Sequence, residues 1–182
     1  MSSQNNEVAI FGGGCFWCTE AVFQRLKGVI AVIPGYSGGA LANPTYEEVE
    51  TSETNHVQVT KVEFNPEEIS YADLLHVFWS THDPTSKNRQ GADVGTQYRS
   101  VIFYTSPEQQ TIAEEVKKEL DDSATFTKPL VTTIEPFTVF YKAEDYHRNY
   151  YATHRNQTYC QVVIDPKIEK LRVAYRDKLK PI

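Results

Sequence analysis

Two cysteines three places apart, Cys15 and Cys18, follow directly on Gly12-Gly13-Gly14 in a chain that holds one other cysteine, Cys160. A thiolate can act as nucleophile, redox centre or metal ligand. The pair therefore reads as a dithiol of the exchange type, as half of a zinc site, or as two small buried side chains. Three cysteines cannot all pair within one chain, which argues against a structural disulfide framework and for thiol chemistry or metal binding. Zinc needs two further ligands from Cys160, His56, His76, His82, His147 and His154, and none of these makes a second paired spacing. No metal site is expected.

The glycines let the backbone turn sharply with its N–H groups unobstructed. A helix predicted over residues 15–26 then places Cys15 in its first turn, where the dipole and the free N–H groups favour an anion. Such a site draws a thiol pKa from ~8.5 to between roughly 3.5 and 7.5, so Cys15 is expected to alkylate first of the three. Phe16 and Trp17 beside it suit an apolar wall for a small group such as a methyl, although each alone reads equally as a core aromatic.

The elements that must position this turn alternate along the chain. Strands are predicted over 7–11, 29–33, 56–64, 101–104, 131–134 and 138–140. Helices are predicted over 15–26, from Ser70 through Trp79, over 106–120, from about 143, and from Asp165-Pro166 to about 179. The alternation of residues 56–64 puts Val57 and Val59 on one face and Val62 and Phe64 on the other. Residues 36–44 and 83–97 read as loops, the second long enough to be functional. Some strands are neighbours in sequence, which predicts an α/β (α+β) domain with a mixed β-sheet flanked by helices. All 182 residues read as one domain, with residues 1–6 a flexible N-terminus.

A net charge of −6 without a basic stripe argues against nucleic acid as a partner. There is neither an apolar run of membrane-spanning length nor a signal-like start, so a cytoplasmic protein off the membrane is expected, as a monomer.

Gly14-Cys15-Phe16-Trp17-Cys18-Thr19-Glu20 resembles the signature of the A-type peptide methionine sulfoxide reductases, as do Gly35-Tyr36-Ser37-Gly38-Gly39 and Asn43-Pro44-Thr45-Tyr46-Glu47-Glu48-Val49. A third block runs from His82-Asp83-Pro84-Thr85 through Asn88-Arg89-Gln90-Gly91 to Asp93-x-Gly95-Thr96-Gln97-Tyr98-Arg99-Ser100. Ala143-Glu144-Asp145-Tyr146-His147 is the fourth. The blocks stand in the family's order over roughly residues 8 to 165, which makes the resemblance specific.

The resemblance implies a two-layer ferredoxin-like core and an enzyme of protein repair under oxidative stress. It would reduce the S epimer of methionine sulfoxide, free or in proteins. The Cys15 thiolate attacks the sulfoxide sulfur, the oxygen leaves as water, and the cysteine passes through a sulfenic acid. A second cysteine then forms a disulfide that thioredoxin reduces. No metal or bound cofactor is implied. By similarity Tyr46 and Tyr98 donate to the sulfoxide oxygen and Asp93 orients them. Phe16, Trp17, Tyr46 and His147 surround the substrate.

The chain departs from the family pattern at two places. Where the family reads Thr-Gly-His-Ala-Glu, this chain reads Thr54-Asn55-His56-Val57-Gln58, so Gln58 stands in the place of the family's proton donor. An amide donates a hydrogen bond but releases no proton at neutral pH. Weakened activity is expected, with the proton coming through Tyr46, Tyr98 or water. Glu50 stands where many relatives carry a cysteine, and nothing in the spacing brings Glu50 or Glu53 to the point occupied by Gln58.

For the second thiol, Cys160 in Thr158-Tyr159-Cys160-Gln161 resembles a C-terminal Gly-Tyr-Cys position of the family. Cys18 lies one turn along the same helix, where a bond to Cys15 is expected to strain the helix, so Cys160 is the favoured resolver. Two other readings stay open: a non-catalytic binder of oxidised methionine, suggested by Gln58, and a general dithiol–disulfide oxidoreductase, suggested by the C-x-x-C spacing.

Overall fold

The alternation along β3 (Val57–Phe64) organises the molecule. Val57 and Val59 pack with Ile10, Val101 and Phe103 on one face, and Val62 and Phe64 join the larger core under the helices on the other. The structure is a computed structural model that describes residues 5–181. The expectation of a flexible tail over residues 1–6 falls mostly outside the described residues.

β3 pairs antiparallel with β1 (Glu7–Gly13) on one side and with β2 (Val29–Ser37) on the other. The short strands β4 (Arg89–Gln90) and β5 (Asp93–Val94) form a separate hairpin. β6 (Ser100–Tyr104) lies against β1, β7 (Thr133–Pro136) runs parallel to β6, and β8 (Phe140–Lys142) closes the far edge on β2. The sheet order is β7-β6-β1-β3-β2-β8.

Two helices cross over the sheet, α1 (Phe16–Phe23) between β1 and β2 and, numbered in chain order after the short α2 (Tyr46–Glu50), α3 (Tyr71–Ser80) between β3 and β6. The β1-α1-β2-β3-α3-β6 path with antiparallel order β6-β1-β3-β2 is the ferredoxin-like split βαβ arrangement. The mixed sheet and its helical layer are those the sequence predicts. Among the described residues no helix is long and apolar enough to cross a membrane.

The remaining helices are α4 (Pro107–Asp122), α5 (Tyr150–Thr153) and α6 (Asp165–Ala174). Three predicted elements differ. The helix expected from residue 143 is a 3₁₀ turn (Asp145–His147) followed by the four-residue α5. Asn149 between them adopts φ +54, a left-handed conformation that interrupts a helix. The last helix stops at Ala174 and is preceded by a π-helical turn (Cys160–Ile164). Tyr36 and Ser37, read as loop, complete β2 opposite Gln58 and Val57.

The sequence reading missed α2, the β4–β5 hairpin and the 3₁₀ turn Thr96–Tyr98, the last two lying within or at the end of the predicted loop 83–97. The capping box of α2 is complete, Thr45 accepting from the Glu48 N–H and the Glu48 carboxylate accepting from the Thr45 N–H.

Candidate active site

β1 runs into Gly14, whose φ of +96 favours glycine and whose missing Cβ would stand 2.7 Å from Gln90 Cγ. The turn delivers Cys15 in an extended conformation (φ −62, ψ 130) as the N-cap of α1, so the helix proper begins at Phe16 and Cys18 is its third residue. N-cap and N3 side chains face one another, the relation that a capping box uses. Here the two are thiols, near enough that each shifts the pKa of the other. The expectation of strain places both cysteines inside the helix, whereas Cys15 lies just outside it.

The pair also corrects the expectation of a low-pKa Cys15. Burial, and then the neighbouring Cys18, push the Cys15 thiol well above its ordinary value, with the Trp17 amide pulling the other way. Cys18 is the thiol that is lowered, chiefly by the hydrogen bond from Cys15 and against its own burial, with the Lys167 ammonium assisting. One sulfur of a coupled pair gives up its proton readily and the other then holds on to its own.

Lys167, on α6, is itself held down by burial and donates to the Thr81 carbonyl at 2.7 Å. Tyr159 packs its hydroxyl 3.6 Å from Cys18 Sγ and donates to Asp93 Oδ2 at 2.8 Å. Asp93 thus serves Tyr159, whereas the resemblance placed it behind Tyr46 and Tyr98. Cys15, Cys18, Asp93, Tyr159 and Lys167 line a cavity of about 300 Å³. Cys160 is fully buried at the start of the π-helical turn, and burial raises its thiol pKa.

A second group of side chains comes from β3 and α2. Gln58 is 1% exposed, on the α1 face of β3. Its Oε1 accepts from the Phe16 N–H at 3.2 Å, which satisfies one of the free amides of the first helical turn. Its Nε2 donates to Glu50 Oε1 at 2.8 Å. Tyr98 donates to the same carboxylate, at 3.2 Å to Oε1 and 3.0 Å to Oε2. The structure therefore brings Glu50 to Gln58, contrary to the sequence expectation.

Tyr46 and Glu50 stand one turn apart on α2, on a shared face. Burial, then the negative charge of Glu50, raise both the Tyr46 and the Tyr98 hydroxyls, and a charge on Cys15 adds to each.

The aromatic wall is divided. Phe16 is fully buried against Tyr36, Tyr46 and His147, with ring centroids 5.7, 6.5 and 4.9 Å away, so it backs the site without facing it. Trp17 is partly exposed and stacks on Tyr150 at 3.7 Å. Its Nε1–H donates to His147 Nδ1 at 3.0 Å, and burial keeps that imidazole neutral by lowering its pKa. Glu144 fixes the far side, accepting from the Tyr36 hydroxyl at 2.8 Å and from the Tyr46 N–H at 2.9 Å.

Sequence reasoning singled out Cys15, Cys18, Phe16, Trp17, Tyr46, Gln58, Asp93, Tyr98, His147 and Cys160. It missed the parts played by Glu50, Tyr159 and Lys167. The Tyr46–Glu50 spacing of four was the available signal, and it becomes readable once Thr45-x-x-Glu48 is taken as a helix start.

The family model for peptide methionine sulfoxide reductase matches residues 7–179. The chain is 55% identical over 172 residues to the peptide methionine sulfoxide reductase MsrA of Sulfolobus acidocaldarius, covering 94% of this chain and 97% of that one. It is 55% identical over 174 residues to MsrA of Deinococcus radiodurans, covering 96% and 84%. Among solved structures, methionine sulfoxide reductase A of Corynebacterium diphtheriae superposes with a TM-score of 0.79 at 32% identity, covering 85% of this chain and 77% of that one. Mxr1 of Saccharomyces cerevisiae in reduced form gives a TM-score of 0.78 at 30% identity, covering 85% and 89%. Mxr1 has also been solved in complex with Trx2, a structure whose fold matches with a TM-score of 0.55 at 22% identity, covering 80% of this chain and 84% of that one.

Proposed function

Since this chain belongs to the peptide methionine sulfoxide reductase family, we propose that it reduces the S epimer of methionine sulfoxide through Cys15 and resolves the product with Cys18. The observation that carries this reading is the thiol pair at N-cap and N3 of α1, facing each other beside a cavity. Cys15 loses its proton and attacks the sulfoxide sulfur, while a proton arrives on the oxygen. The sulfur–sulfur bond to methionine then breaks as the hydroxyl moves to Cys15, leaving a thioether and a Cys15 sulfenic acid. Cys18 attacks that sulfenic sulfur, closing a disulfide and releasing the oxygen as water.

Cys18 is supported over Cys160 as the first partner by its position and by its lowered pKa, since the thiolate is the attacking species. Cys160 is fully buried with a raised pKa, which suits it less. Tyr46 and Tyr98 are assigned to the sulfoxide oxygen, and Trp17 to the methyl and chain side of the substrate, with the buried His147 holding its indole. A thioredoxin-type dithiol is assigned as reductant, its access being the cavity on which Cys15 and Cys18 both open.

The test is single-turnover methionine formation from a peptide carrying the S-sulfoxide, for the parent and for Cys15→Ser. The variant should make no methionine, and turnover that survives the loss of Cys15 overturns the reading. The same thiol pair would also serve general dithiol–disulfide exchange. Reduction of insulin disulfides by the protein, with no sulfoxide reduced, would decide for that second reading.

A further inference from the structure

The reaction needs an acid that Gln58 cannot supply. A sulfoxide oxygen leaves poorly unless protonated, and a positioned acid contributes roughly 10²–10⁴-fold to such a step. Three ionisable groups stand on the Gln58 side of Cys15. The Tyr46 and Tyr98 hydroxyls are raised by burial and by Glu50, which makes them hydrogen-bond donors and very weak acids. The third is the Glu50 carboxyl. It lies at the end of α2, half-buried, on the same helical face as Tyr46, bonded by Tyr98 and by Gln58, and Gln58 in turn holds the first amide after Cys15.

We propose that Glu50 is the acid of this enzyme and that Gln58 is its positioning residue, the carboxyl having its place on α2 instead of on β3. The inference rests on the reductase reading above and names the proton donor for it. As the Cys15 thiolate bonds to the sulfoxide sulfur, the Glu50 carboxylic acid gives its proton to the oxygen, turning S=O into S–OH. The two electrons of the new bond come from Cys15, Glu50 is left as carboxylate, and water reprotonates it after the hydroxyl has moved to Cys15.

The geometry explains why an amide belongs at position 58. A second carboxylate 2.8 Å from the first would leave two like charges sharing one site, whereas Gln58 donates to Glu50 through Nε2 and accepts from Phe16 through Oε1. The remaining hydrogen bond from Tyr98 reaches both carboxylate oxygens. The titratable groups that face Glu50 are Asp93, Tyr46 and Tyr98; no cation is among them. Burial, and then the Asp93 charge, raise the carboxyl above its ordinary range, against the bonds from Tyr98 and Gln58.

The experiment measures single-turnover methionine formation from a peptide methionine S-sulfoxide between pH 5 and 9, for the parent, Glu50→Gln, and the exchanged pair Glu50→Gln with Gln58→Glu. Glu50→Gln should fall by about 10²–10⁴-fold and lose the limb on which the parent rate declines as pH rises. The exchanged pair should recover most of the rate, since it returns one carboxyl and one amide to the same hydrogen bond. Thermal melts establish that each variant is folded, and should Glu50→Gln alone fail to fold, the exchanged pair and the parent pH profile decide. Glu50→Gln within threefold of the parent, an unchanged pH limb in that variant, or an exchanged pair that is folded and inactive overturns the assignment. A parent that forms no methionine overturns the reductase reading itself, while a parent that turns over beside an unaffected Glu50→Gln overturns only the role of Glu50.

Discussion

The two sides of Cys15 are built from different material. On one side Gln58, Glu50 and Tyr98 come from β3, α2 and the 3₁₀ turn Thr96–Tyr98, and each polar group there bonds to another. On the other side Cys18 meets Tyr159, Asp93 and Lys167, supplied by the β4–β5 hairpin and the C-terminal segment, around a cavity. On the first side each of these groups is fixed by a hydrogen bond, as proton transfer to a bound oxygen requires. The second keeps a polarised thiol against open space, as exchange with an outside dithiol requires. Chemistry on the substrate and recycling of the enzyme are thus separable across one residue.

The sharpest way to break this comparison is Cys18→Ser. It should leave single-turnover methionine formation within about tenfold of the parent, because the acid side is intact, and abolish turnover driven by a thioredoxin-type dithiol. Dimedone labelling should then trap Cys15 as sulfenic acid. A Cys15–Cys160 disulfide that forms in this variant as fast as the parent's disulfide would show that Cys160 is the resolver and that the thiol side extends further into the C-terminal segment.

A smaller effect is expected at Lys167. Lys167→Met removes the cation near Cys18, whose thiolate the Cys15 hydrogen bond supports in the main. The Cys18 pKa should rise, so disulfide closure at pH 7 slows, by about tenfold at most, and recovers as the pH approaches 9. Methionine formation should stay as in the parent. Closure that is unchanged at every pH, or a slowed methionine step with normal closure, would place Lys167 on the wrong side of the division.

The thiol side and the acid side were unequally legible in the sequence. The glycine turn, the nucleophile and the ferredoxin-like order follow from short-range patterns and from blocks of adjacent residues. The identity of the N-cap does not, because it depends on a boundary of a single residue: with Cys15 inside the helix a bond to Cys18 looks strained, whereas the structure puts Cys15 just outside it as the cap. Glu50 was hidden for a related reason. A five-residue helix has too little periodicity to announce itself, and only that helix turns a residue eight places from Gln58 into its hydrogen-bond partner. The hydrogen bond of Asp93 to Tyr159 was not legible because the two are 66 residues apart and meet through a segment whose helix is broken.

The least effect concerns a carboxyl that shares burial with Glu50 and none of its neighbours, and it tests whether burial alone sets the acid side apart. Glu20, on α1, is 2% exposed, accepts from the Asn149 N–H at 2.9 Å through Oε1, and leaves Oε2 without a partner among the described residues. Burial raises its pKa to about 7, against the pull of the Asn149 amide. A carboxyl whose pKa is higher folded than unfolded binds its proton more tightly in the folded state. Stability is therefore greatest below the unfolded value of about 4.3 and declines as pH rises from there to about 7, after which both states are ionised and the penalty is constant. Gln carries no charge and keeps an oxygen for the Asn149 amide. Glu20→Gln should accordingly gain stability relative to the parent at pH 8 by about 1–3 kcal/mol more than at pH 5, measured by urea unfolding at both pH values. Its single-turnover pH limb should match the parent's, since this carboxyl is held by the backbone amides of Asn149 and Tyr150 and by no tyrosine hydroxyl. An equal stability difference at pH 5 and pH 8 would show that Glu20 is not protonated in the fold, and a shifted catalytic limb would show that the acid chemistry is not confined to the Glu50 side of Cys15.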